Sequence, residues 1–197
     1  MFKLAPQAIH GQLPKTGLFI GRFQPFHKGH LATVKFALAK VDRLVIVVGS
    51  SQKSHEPRNP FTAGERIMMI KDALDSDRKI DPRKIMIVPV PDVDVHLLWT
   101  RQVDSLVPTY DVVFANDPFT LLLFRERGVK VVEPPLRRRS QLAATQIRER
   151  MFRGDSKWKN LVPPAVANVI SNIDGVRRVK AIAENQSHSH EPHWKAI

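Results

Sequence analysis

The chain contains no cysteine. That excludes disulfides, a cysteine nucleophile and any thiolate metal site. No apolar run approaches membrane-spanning length, and residues 1–15 carry no apolar signal core, so a soluble cytoplasmic protein without membrane contact is expected. Acidic residues are scarce: 19 Asp and Glu against 31 Lys and Arg leave a net charge of +12. Such an excess favours anionic partners, whether nucleic acid, anionic lipid or nucleotide phosphates, without choosing among them. Internal repeats are absent, and so is the glycine spacing of the dinucleotide-binding fingerprint or of the phosphate-binding P-loop. What is present is 197 residues with 43% hydrophobic content, enough for one domain with a sizeable core and a small appendage.

Strand-like and helix-like runs alternate. Apolar segments at 17–20, 44–48, 85–90, 112–115 and 129–132 read as strands, and the unbroken Leu44 to Val48 run suits a parallel strand covered on both faces. Helical spacing recurs at 31–41, from Thr62 onward, at 96–107, 118–127, 145–153, 164–173 and 176–183. Thr62 and Glu65 form a capping-box pattern, and Asp117 precedes a proline at a first helical position. The alternation predicts an α/β fold: a doubly wound, Rossmann-like, parallel five-stranded sheet with helices on both faces and a short C-terminal helical appendage. Residues 1–14 read as an extension, 15–183 as the domain with its appendage from about 156, and 184–197 as a flexible tail. That tail carries His188, His190 and His193. In such a sheet the segments following the strands, 21–30, 49–61, 91–99, 115–118 and 133–145, meet at one edge.

The segment 21–30, Gly-Arg-Phe-Gln-Pro-Phe-His-Lys-Gly-His, joins the first strand to the first helix. His27 and His30, three residues apart, fall on one face of a helix start, where free N–H groups and the positive dipole end favour phosphate. Capping or packing is the plain reading of the pair. Their company, Arg22, Lys28, Gly21 and Gly29, favours an anion site.

This segment resembles the HxGH signature of the nucleotidylyltransferase superfamily, and its extension through Arg22 and Gln24-Pro25-Phe26 is similar to the archaeal-type nicotinamide-nucleotide adenylyltransferases. Segments 49–55 and 58–66, Pro89-Val90-Pro91-Asp92 with Leu98-Trp99, and Thr145-Gln146-Ile147-Arg148 continue the likeness over most of the chain. The resemblance implies that ATP and nicotinamide mononucleotide (NMN) give NAD and diphosphate. It implies His27, His30 and Arg148 as catalytic residues. ATP would meet Gly21, Arg22, Phe23, Gly29, Asn116, Asp117, Arg139 and Thr145; NMN would meet Arg58, Asp92 and Trp99. No protein metal site is implied, Mg²⁺ being held mainly through the ATP phosphates. A homo-oligomer, a hexamer in this branch, is implied too.

Plain readings stand beside these roles. Trp99 suits a core position, Arg66 a structural ion pair, and Asp92 and Asp117 helix caps. Arg137 and Arg138 read as solvated charges. The chain departs from the family pattern at Ala143-Ala144, where a Ser-Gly pair is expected, at Gln146 in place of Glu, and at His96 and Asp117 in place of Asn. Two other functions remain open: adenylyl transfer to nicotinate mononucleotide, FMN or phosphopantetheine, and non-catalytic nucleotide or nucleic-acid binding. Against the last stand the intact HxGH segment and the absence of a nucleic-acid-reading motif.

Overall fold

The apolar runs become five strands in a computed structural model that describes residues 15–135 and 143–188. They are β1 (Thr16–Gly21), β2 (Arg43–Val48), β3 (Ile85–Pro89), β4 (Val112–Phe114) and β5 (Val131–Val132). All pair in parallel, in the order β3-β2-β1-β4-β5. The chain winds outward from β1 to one edge, then returns to fill the other. The reversal opens a crevice at the carboxyl ends of the central strands.

Strand alternation divides the core between the two faces. Phe19, Ile46 and Phe114 point to one side, which is covered by α1 (Lys28–Leu38), α2 (Ala63–Asp75) and the C-terminal helices. Leu18, Val45 and Val113 point to the other, covered by α3 (His96–Leu106) and α4 (Pro118–Glu126). The C-terminal helices are α5 (Ala144–Phe152), α6 (Pro164–Asn172) and α7 (Gly175–His188).

The ends of the helices differ from the periodicity in instructive ways. α1 opens at Lys28, three residues before the apolar stripe, because His27 and His30 cap it. α7 runs on to His188 although the apolar pattern stops at Ala183, so residues 184–188 belong to the helix and not to the expected tail. Ala183, Glu184 and Gln186 are good helix formers, and propagating a helix is easier than nucleating one. α2 begins with the expected reciprocal box: the Glu65 N–H donates to Thr62 Oγ1 at 3.2 Å, and the Thr62 N–H to Glu65 Oε2 at 2.9 Å.

The appendage is tied to the start of α2. Arg178 on α7 donates to Glu65 Oε2 at 2.6 Å. Burial alone would raise the Glu65 carboxyl, but Arg178 and the Thr62 N–H outweigh it and hold the group below its usual range. Gly175 abuts the Phe61 ring, where an added Cβ would lie 2.9 Å from the nearest ring carbon, so α7 reaches the 49–62 loop only with glycine there.

Candidate active site

Four loops meet at the carboxyl edge and line a cleft of about 790 Å³. Gly21 and Arg22 come from the end of β1, Gly49, Ser50 and Lys53 from beyond β2, Asp92 and Asp94 from beyond β3, and Asp117 from beyond β4. One wall is aromatic, with Trp99 on α3 and Phe119 on α4; Arg22, Lys53 and Arg58 bring positive charge. A cleft with one flat apolar wall and clustered cations suits a ligand that has a planar ring at one end and phosphate at the other.

Beside this cleft, His27 and His30 form a reciprocal box of their own. The His30 N–H donates to His27 Nδ1, and the His27 N–H to His30 Nδ1, both at 3.2 Å. The rings stack with centroids 3.5 Å apart. Each Nδ1 accepts, so each neutral ring carries its proton on Nε2. Burial pushes the His27 imidazole down to about 4, and burial together with neighbouring His27 holds His30 well below its ordinary value. The plain capping reading therefore holds, and it is compatible with the anion-site reading. Capping uses Nδ1 and leaves Nε2–H to donate.

These shifts set a stability window. An imidazole that is depressed on folding binds its proton more readily in the unfolded chain, so stability is full above about pH 6.5 and falls as pH drops towards 4. Equilibrium unfolding between pH 7 and pH 4 should show this loss. A His27→Gln, His30→Gln double variant should have a flatter profile over the same interval.

The turn between β1 and α1 is braced from several sides. Phe23 has a positive φ of 53° and a fully buried ring, T-shaped against His30 at 4.8 Å. Its ring belongs to the core, so anything it offers a ligand comes from its main chain. Gly21 lies against that ring; a Cβ there would come within 2.9 Å. Gln24, buried, pairs its amide with Phe61 in both directions: Nε2 donates to Phe61 O at 2.9 Å, and Phe61 N–H donates to Oε1 at 3.0 Å. Arg148 on α5 donates to Gln24 O at 2.8 Å and to Thr145 Oγ1 at 3.3 Å. Burial, then Arg22 and Arg58, lower the Arg148 guanidinium to about 10, so it remains charged and within the field of two other cations.

The sequence-derived residues thus separate into groups. Gly21, Arg22, Arg58, Asp92, Trp99 and Asp117 line the cleft. His27, Phe23, His30, Arg148 and Thr145 flank it around the turn, Gly29 lies in the first turn of α1, and Asn116 follows β4. Arg139, with Arg137 and Arg138, lies outside the described residues. Trp99 joins core and cleft: it is T-shaped to Phe124 at 6.4 Å and also forms a wall.

Two plain readings need correction. Asp92 does not cap α3, whose N-terminal residue Val95 has no side-chain cap; its carboxylate instead accepts from Ser50 Oγ at 3.1 Å and pairs with Lys53 at 3.3 Å. Among the described residues Arg66 has no ion-pair partner and binds four backbone carbonyls. Asp117 does cap α4, accepting from Thr120 N–H at 2.8 Å. Ser50, Lys53, Asp94 and Phe119 line the cleft and were not singled out from the sequence. Ser50 and Lys53 stand in the 49–55 segment that shares the family likeness, while Asp94 and Phe119 had only a place after a strand or at a helix start as a signal.

The cytidylyltransferase-like family profile matches residues 18–150. A nicotinamide-nucleotide adenylyltransferase of Ignicoccus hospitalis is 48% identical over 85% of this chain and 97% of its own length. One from Methanolobus tindarius is 46% identical over 87% of this chain and 96% of its own. Among solved structures, a bifunctional NMN adenylyltransferase/ADP ribose pyrophosphatase of Francisella tularensis, complexed with AMP and a manganese ion, superposes with a TM-score of 0.68 at 23% identity. That match covers 89% of this chain and 54% of the other, and speaks for the fold.

Proposed function

The chain belongs to the cytidylyltransferase-like family, among the archaeal-type nicotinamide-nucleotide adenylyltransferases, and from that premise we propose how its residues join ATP and NMN to give NAD and diphosphate. The observation that carries the reading is the pair of neutral, stacked histidines, each with Nε2–H free of the cap, on the turn that leaves a cleft lined by aromatic Trp99 and Phe119 and by the cations Arg22, Lys53 and Arg58.

The NMN phosphate attacks the α-phosphorus of ATP in line. A new P–O bond forms as the bond to the β-phosphate oxygen breaks, and diphosphate leaves with the electron pair. The attacking phosphate is already anionic, so no base is required. His27 and His30 donate through Nε2–H to the charge that grows on the leaving group. Arg148, with Arg22 and Arg139, holds the triphosphate, its planar fork suited to two oxygens. Main-chain groups at Gly21, Phe23 and Gly29, with Thr145, complete the phosphate contacts. Asn116 and Asp117 face the adenosine. Arg58 holds the NMN phosphate, while Asp92 and Trp99 flank the pyridine ring.

Among the described residues, no group of three or more His, Asp or Glu side chains is placed to hold a metal ion by itself. The donor set therefore suits a divalent ion carried in by the triphosphate, Mg²⁺ in this proposal, which offsets phosphate charge when bound. No helix among the described residues is long and apolar enough to cross a membrane. A cytoplasmic location and a hexamer complete the proposal, the latter tested by sedimentation.

Trp99→Ala should raise the KM for NMN roughly tenfold, as loss of a stacking partner does, and leave the KM for ATP within about twofold. Equal changes in both constants would remove Trp99 from the pyridine site. Relative rates of dinucleotide formation with NMN, nicotinate mononucleotide and FMN identify the acceptor; FMN as the fastest would overturn the assignment.

A further inference from the structure

Arg66 is fully buried, the largest of the completely covered side chains, and the mechanism above does not use it. Among the described residues, the hydrogen bonds of its guanidinium all go to carbonyl oxygens. Nη1 donates to Arg22 O at 2.9 Å and to Gly49 O at 2.8 Å, Nη2 to Ser50 O at 3.1 Å, and Nε to Thr62 O at 3.2 Å. Arg22, Gly49 and Ser50 are residues of the cleft wall, so the cation lies directly behind it. No carboxylate among the described residues pairs with it.

A buried, unpaired charge is costly, and a brace between strand ends does not require one. Neutral amides do that work elsewhere in this protein, as Gln24 does for Phe61. The carbonyls that Arg66 binds also adjoin two strained positions. Phe23, after Arg22, and Ser50 itself both take a positive φ, 53° and 49°, which side chains other than glycine seldom adopt. Burial, then Arg22, lowers the guanidinium to about 10, and the field of Asp92 offsets this only in part, so the group remains a cation.

We propose that Arg66 is a positioning residue for polyphosphate: it pins the two strained turns that form the cleft wall, and its buried charge attracts the substrate's phosphates through that wall. This rests on the adenylyl-transfer reading for the identity of the ligand, but its test needs no turnover. The binding of adenosine, AMP, ADP and ATP is measured by titration calorimetry on the full chain, with Arg66→Met and Arg66→Lys beside the unaltered protein. The charge reading expects Arg66→Met to bind adenosine within about twofold of the unaltered protein, with a loss that grows along the series to tenfold or more for ATP. Arg66→Lys should recover most of the ATP affinity, since it keeps the charge and loses the fork. Equal weakening of all four ligands by Arg66→Met, or unchanged ATP affinity, would make Arg66 a brace alone. If Arg66→Met does not fold, Arg66→Lys decides: ATP affinity within about threefold of the unaltered protein supports the proposal, and equal weakening of all four ligands, from loss of the fork alone, overturns it. Failure of NAD synthesis with an intact charge series would sink the acceptor assignment and leave this inference standing.

Discussion

Replacing His30 with alanine is expected to lower turnover about 10²–10³-fold while NMN affinity changes little. The ring does two separable things. Its Nδ1 accepts the His27 N–H and completes the cap of α1, a contribution of about 1 kcal/mol to stability. Its Nε2–H is assigned to the leaving diphosphate, where charge appears only as the bond breaks. A donor that acts in the transition state changes kcat more than ground-state binding. His30→Asn sharpens the test, because its short side chain retains a polar capping group but does not reach as far as Nε2. Near-native unfolding with turnover still depressed would separate the two roles. A large loss of NMN affinity with unchanged turnover would contradict the assignment.

Arg148→Ala is expected to cost about 10²–10³-fold in kcat/KM for ATP, and Arg148→Lys to restore little of it. The guanidinium is held by Gln24 O and Thr145 Oγ1, so in the proposed reaction it would meet the triphosphate already oriented. It also shares the field of Arg22 and Arg58, a repulsion that a polyphosphate relieves. A lysine keeps the charge without the planar fork and cannot make both contacts while gripping phosphate. Retention of kcat/KM within about threefold in the alanine variant would remove Arg148 from the site.

The fold was legible in the sequence because its signals are local and repeated. Unbroken apolar runs marked β2 and β3, and the Thr62–Glu65 box and Asp117 placed the starts of α2 and α4 where they stand. Where the reading slipped, the missing information was tertiary or chemically unusual. Histidine is a rare cap, so the apolar stripe alone put the start of α1 at Leu31. α5 begins at Ala143-Ala144 without any side-chain cap, and Arg148 ties it to the Gln24 turn.

The site divides in the same way. His27, His30, Arg22, Arg58 and Trp99 could be singled out because they stand in compact motifs that follow strands. The ion pair expected of Arg66 is replaced by backbone contacts, because spacing along a helix cannot show that four carbonyls from three separate segments close around it. The plain capping alternative for Asp92 fails because its partners, Ser50 and Lys53, are some forty residues away in sequence and become neighbours only when β2 and β3 pair.

The central claim is direct adenylyl transfer to a pyridine mononucleotide. Purified protein incubated with Mg-ATP and NMN, with NAD and diphosphate quantified by chromatography, tests it most directly. The account predicts equimolar NAD and diphosphate, dependent on both substrates and abolished to within a few per cent in the His27→Ala, His30→Ala double variant. ATP consumption without a dinucleotide, or equal dinucleotide formation by the double variant, would contradict it.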